Sequence, residues 1–284
     1  MKKFSIIIFI IFSIFFMLFL NNCSSQNQPP LSDSTSPDSS HNTQDIPYYQ
    51  QTNLDCTGLS DGIIKVKQNG QWEQFQIREL PPEFMEWNIN RRIDDLDAWL
   101  RGEMPPLAGP HSGMVASYGR RREDTQFEIN NAVKGLGFLP KPDKIDEVLE
   151  ILKLNWEAPF PQKLEVLKNL YENSEDIFDR TKQVSLELYT TEEFQTQTFI
   201  NIIANPTVSI VFLDVPSYEL KAIAELIHPE DEQLTPQQQD IVKYINTVHD
   251  FIHGESPRSS IAIVFHVIEV YDQSPAARGI RVVP

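Results

Sequence analysis

Residues 191–213 read TEEFQTQTFINIIANPTVSIVFL, and the change of texture within them sets the fold class. Phe199, Ile202 and Ile203 recur at helical spacing, so a helix is expected over 191–204. Asn205-Pro206 ends it, because a residue before proline is pushed out of the α region toward extended backbone. The β-branched run that follows predicts a buried strand over 208–213.

The same alternation continues on both sides. The stretch 184–189 reads as a strand and 261–271 as an apolar, β-branched central strand. Thr235-Pro236-Gln237-Gln238 has the pattern of a capping box with proline at the first helical position. Ile241, Ile245, Val248 and Ile252 carry that helix to Gly254, where the chain can turn away. The stretch 217–227 fits either period: Leu220, Ile223, Ala224 and Ile227 suit a helix, whereas Tyr218, Leu220, Ala222, Ala224 and Leu226 suit a strand.

Toward the N-terminus, 63–77 alternates in two arms about Asn69-Gly70, a pair that favours the positive φ of a two-residue hairpin turn. Helical spacings follow over 83–101, 124–134, 143–155 and 162–171, with a loop expected over 102–122. The expected fold is therefore α+β: an N-terminal β-hairpin with helices over 52–180, then a C-terminal mixed or antiparallel sheet over 181–284, capable of closing into a barrel, with packed helices. These two regions form one or two domains.

The first 51 residues have a different character. Lys2 and Lys3 precede an apolar block from Phe4 to Leu20, whose length suits either a signal peptide or a short membrane helix. Leu20-Asn21-Asn22-Cys23 resembles the lipobox of bacterial lipoproteins. That resemblance implies that residues 1–22 are removed as a signal peptide and that Cys23 carries lipid, holding the protein on a membrane of the cell envelope. Ser24 rather than Asp after the cysteine favours the outer membrane in a cell with two. Residues 23–51 are polar and proline-containing, and they are expected to be a disordered tether.

Formal net charge is −16, and removal of residues 1–22 takes away Lys2 and Lys3 but no acid, leaving −18. Such a balance argues against nucleic acid as a partner and leaves the acyl chains as the membrane contact. Cys23 and Cys56 are the two cysteines, so lipid on Cys23 leaves Cys56 no disulfide partner within the chain.

The P-loop, H-E-x-x-H, G-x-S-x-G and S-x-x-K signatures are absent. His249 and His253 lie one turn apart on the 235–254 helix, a spacing that can hold Zn, with His228 or His266 as a third ligand. Seven of the eleven arginines fall within 78–122, and Arg120, Arg121 and Arg122 with His111 are candidates for binding an anion. Seven acids share that stretch, so a solvated salt-bridge network is the competing account.

Asn201-Ile202 and Asn205-Pro206 leading into Val208 resemble the helix-to-strand segment of pyridoxamine 5′-phosphate oxidase-like flavin-binding split barrels, over residues 198–272. The resemblance implies a barrel closed by a late strand over 264–271, and FMN as cofactor. The position at which that family holds the flavin phosphate with lysine is Thr198 here. The expected role is binding or structural, with a flavin oxidoreductase or a metal-dependent enzyme as the alternative.

Overall fold

A computed structural model of the protein describes residues 50–104, 106–186 and 195–284. The expected signal peptide, Cys23 and nearly all of the expected tether lie outside the described residues, as do parts of the elements expected over 184–189 and 191–204. No described helix is long and apolar enough to cross a membrane.

The fold is α+β. A small antiparallel sheet comes first: β1 (Leu54–Asp55), β2 (Ile63–Gln68) and β3 (Gln71–Gln76), in that order. Asn69 and Gly70 have φ of 49° and 80°, the double positive φ that the two-residue turn requires. Helix α1 (Pro82–Leu100) follows, one residue offset from the expected span.

Six strands then close a barrel. They are β4 (Ser112–Tyr118), β5 (Ile129–Gly137), β6 (Lys182–Ser185), β7 (Thr207–Phe212), β8 (Tyr218–Ile227) and β9 (Ala262–Asp272). Their order is β9-β6-β5-β4-β7-β8, and β9 returns to pair with β8, so the ring is complete and every pairing is antiparallel. A terminal strand, β10 (Ile280–Val283), extends one edge of β9 beyond β6. The late apolar strand therefore closes the barrel, and the sheet is antiparallel rather than mixed.

Helices cover the outside. Those between β5 and β6 are α2 (Ile145–Leu154), α3 (Phe160–Glu172) and the single turn α4 (Ser174–Ile177). Helix α5 (Gln197–Ala204) packs on β4 and β5, and α6 (Pro236–His253) lies against α2 and β9. Thr235 and Gln238 form the expected reciprocal capping box, and Gly254 takes φ of 91° at the end of α6.

Two expectations fail. The span 124–134 is not a helix; β5 begins at Ile129, and Ile129, Asn131 and Val133 face out while Asn130 and Ala132 are half-buried, the period of a strand. Apolar residues at 129, 132 and 133 have the i, i+3, i+4 spacing of a helix, and pairing with β4 overrides it. The span 102–122 is not all loop, because it contains β4, whose Gly113, Val115 and Ser117 point inward. A Cβ on Gly113 would sit 2.4 Å from Leu136 Cδ1 and 2.9 Å from Ile210 Cγ2, so the strand needs glycine at this close approach.

Val115, Ile210, Phe212, Leu220, Ala224, Val267 and Val270 fill the interior with essentially no exposure. A six-stranded barrel is too narrow for a lumen, since roughly eight strands are needed before side chains or one small ligand fit inside. Any ligand must bind outside. The N-terminal sheet covers part of that outer surface by packing Ile64 and Val66 on Ile223.

Candidate functional site

The outer face left open beside the N-terminal sheet forms a groove of about 390 Å3. Its floor is built from strands in register: Ala116 of β4 opposes Ser209 of β7, which opposes Lys221 of β8. Ala116, Ser209 and Thr207 are small, so the floor is low. Phe75 from β3 with Ile223 and Ile268 makes one wall, and Tyr118 with Ile129 lines the groove from the far ends of β4 and β5. Tyr118 and Ile129 are cross-strand partners and remain 54% and 63% exposed, so this wall is apolar surface open to water.

Polar groups are few and defined. Lys221 contacts Glu219 and lies near the Tyr271 ring, while Glu219 also accepts from Ser209 and Gln273. Burial alone would raise the Glu219 carboxyl, but Lys221, Ser209 and Gln273 outweigh it and hold the group below the usual carboxylate range. Glu269 accepts from Tyr271 and pairs with Arg281 at 3.1 Å.

A second polar cluster centres on Arg92, which is fully buried. Its Nε donates to Asn88 Oδ1 at 2.7 Å, and Nη2 donates to the carbonyls of Pro110 (2.8 Å) and Leu136 (2.9 Å). Nη1 reaches Tyr171 Oη at 3.3 Å and His111 Nδ1 at 3.1 Å, with the guanidinium over the Phe138 and Tyr171 rings. A guanidinium only donates, so Nδ1 of His111 is the acceptor and the ring's proton sits on Nε2, facing Asp95 Oδ2 at 3.6 Å. Desolvation among the packed loops, then the charges of Arg92 and Arg91, hold His111 well below the ordinary histidine range. The side chain is 41% exposed, and the charges of Arg92 and Arg91 beside it disfavour a further positive charge on the ring. Burial raises the Asp95 carboxyl.

This cluster is a brace, not a receptor. All five N–H groups of Arg92 are spent on the protein, while Asn88 Nδ2 beside it is buried without a partner, and the cluster ties α1 to the loop before β4, the end of β5 and α3. Nearby, Asp214 accepts from Arg91 Nε at 2.9 Å and Trp87 Nε1 at 3.3 Å, pinning α1 to the loop after β7.

The third cluster lies under the N-terminal sheet. His266 Nε2 meets Glu225 Oε2 at 2.8 Å, and Gln238 donates to Glu225 Oε1 at 2.9 Å. Burial alone would raise Glu225, but hydrogen bonds from His266, Gln238 and Cys56 outweigh it and keep the carboxylate charged. Burial and that carboxylate push the Cys56 thiol up, so Cys56 is a hydrogen-bond donor rather than a thiolate nucleophile.

The residues singled out from the sequence are dispersed. His111 precedes β4 and Arg120, Arg121 and Arg122 follow it, so the strand's seven residues, about 23 Å, separate them. Arg122 is held bidentately by Asp124 at 2.6 Å, and the Arg120 main chain is bound by Asn201 and Gln197. His249 and His253 lie side by side with ring centroids 4.9 Å apart and planes tilted by 43°, His249 against Asp250 at 3.0 Å. His228 accepts from the Glu230 amide beyond the end of β8. Among the described residues no three His, Cys, Asp or Glu side chains converge to hold a metal. Thr198 is buried and accepts from Asn130 Nδ2 at 2.9 Å.

The groove and the Arg92 brace were missed. The groove's residues come from six strands and have no shared spacing, whereas Arg92 carries a usable signal as an arginine among the apolar Trp87, Ile89 and Leu96. No family model matches the chain, and no curated protein matches it.

Proposed function

We propose that this is a lipid-anchored cell-envelope protein whose barrel domain is a binding module, with its ligand seated in the outer-face groove. The observation that carries the reading is the pairing of a filled barrel interior with an open apolar groove on its flank, small-floored and bounded by Phe75, Tyr118 and Ile129. The buried polar clusters serve the framework. The sequence supplies the address: a lipobox-like cysteine after an apolar leader, with the membrane as partner through lipid on Cys23 and acidity that disfavours nucleic acid.

Metabolic labelling with an alkynyl fatty acid in the native cell tests the address. Labelled protein from the wild type and none from Cys23→Ser is expected; equal labelling of both removes the anchor from the account. Ser209→Trp, which fills the groove floor, tests the binding reading, and it is expected to abolish retention of any ligand that accompanies the wild-type protein.

A flavin-binding split-barrel oxidoreductase is the second reading, favoured by the closed six-stranded ring. Thr198 gives the flavin phosphate no cation, so another group would have to hold it. FMN released on denaturing protein purified from its own cell, in near one-to-one ratio, would move the assignment there.

A further inference from the structure

We infer that the groove takes an extended peptide, added as a fourth strand to the free edge of β3; this rests on the binding reading above. The N-terminal sheet lies across the outside of β8 in strand order. Cys56, just after β1, meets Glu225; Ile64 and Val66 of β2 pack on Ile223; and Phe75 of β3 shares the groove with Lys221. The last strand of the sheet is thus the one bordering the groove.

That edge carries unpaired main-chain groups. Gln68 and Gln71 close the two-residue turn, so Gln71, Glu73 and Phe75 exchange main-chain hydrogen bonds with β2. Trp72, Gln74 and Gln76 therefore turn their N–H and C=O groups outward, and among the described residues no strand but β2 pairs with β3. The edge lacks the usual guards, with no proline, lysine or bulge in Gln71–Gln76. Recognition of a peptide main chain uses this chemistry, with alternate side chains dropping into adjoining pockets.

The rim indicates the peptide's charge. In and beside the lining, Glu269 is offset by Arg281 and Glu219 by Lys221, so Glu128 at the Tyr118 hydroxyl and Glu73, two residues before Phe75 on β3, leave this side of the groove net negative. A basic-ended strand with apolar residues at alternate positions complements it.

The test uses the full lipoprotein in zwitterionic nanodiscs and the synthetic peptide Lys-Thr-Val-Thr-Val-Thr-Val-Lys. Saturable binding is expected to slow hydrogen exchange across 71–76. Binding should weaken at least tenfold when alternate peptide nitrogens are methylated, and likewise in Gln74→Pro, which removes one outward amide without touching the β2 ladder. Binding that is lost in Ser209→Trp yet indifferent to N-methylation and to Gln74→Pro overturns strand addition and leaves the groove standing. No saturable peptide binding, with a small molecule retained by the wild-type protein, has the same meaning. No peptide binding and no retained ligand overturns both.

Discussion

Replacing Arg92 with methionine distinguishes a brace from a binding site. The side chain is fully buried and its donors serve Asn88 Oδ1, the Pro110 and Leu136 carbonyls, His111 and Tyr171. Methionine has similar length and fills most of the volume, so the cavity contribution is small. What remains is three buried acceptors with no donor, each worth about 1–3 kcal/mol, and removing the guanidinium's own desolvation cost offsets part of the sum, for an expected loss of about 3–5 kcal/mol. Against a total of roughly 5–15 kcal/mol, that is a large share of the domain's stability. Urea unfolding followed by tryptophan fluorescence should show the midpoint falling by about 1–2 M with the slope unchanged. Arg92→Lys should recover less than half, because one ammonium cannot reach both carbonyls and Asn88 while lying over two rings. A loss below about 1 kcal/mol would refute the reasoning. A gain in stability would point instead to a cation held in readiness for an anionic ligand.

Other perturbations probe separate parts of the fold. Thr235→Ala removes the side-chain acceptor of the capping box and should lower stability by about 1 kcal/mol, read from the thermal midpoint. Gly70→Val places a β-branched residue at φ of 80° and should cost about 1–2 kcal/mol, with faster hydrogen exchange confined to β2 and β3. His111 is held neutral in the folded state, so below the ordinary histidine pKa of about 6.5 the unfolded chain binds a proton that the folded one does not, and stability falls with falling pH. His253, lowered by burial and by His249, acts in the same direction. His111→Gln, which keeps an acceptor for Arg92, should therefore flatten the thermal midpoint between pH 6.5 and 5; an unchanged slope there would contradict the neutral assignment.

The sequence-readable part of this protein is the part that depends on local physics. The 63–77 hairpin, the 235–254 helix and the 261–271 strand are each specified by signals within about ten residues: Asn69-Gly70, the Thr235–Gln238 box, and a β-branched run. Strands β4 and β5 were missed because their evidence is non-local. Gly113 looks like a loop residue until Leu136 and Ile210 close over it, as does Ser117 until Asn201 bonds it, and 129–133 carries a helical spacing that pairing with β4 overrides. The site was less legible still. His111 and Arg120–Arg122 are near neighbours in sequence but lie at opposite ends of β4, whereas Phe75, Ser209 and Ile268 are far apart in sequence and border one groove. Arg92 could have been found, because an arginine among Trp87, Ile89 and Leu96 must be either solvated or fully hydrogen-bonded.

The central claim is that the groove on the barrel's flank holds a ligand. Native mass spectrometry of protein purified gently from its own cell, beside Ser209→Trp of equal stability, tests it most directly. An added mass on the wild type that disappears in the variant is the predicted result. An added mass retained equally by both, or bare protein in both with no change in hydrogen exchange around residues 116, 209 and 221 on exposure to the cell's extract, would contradict it.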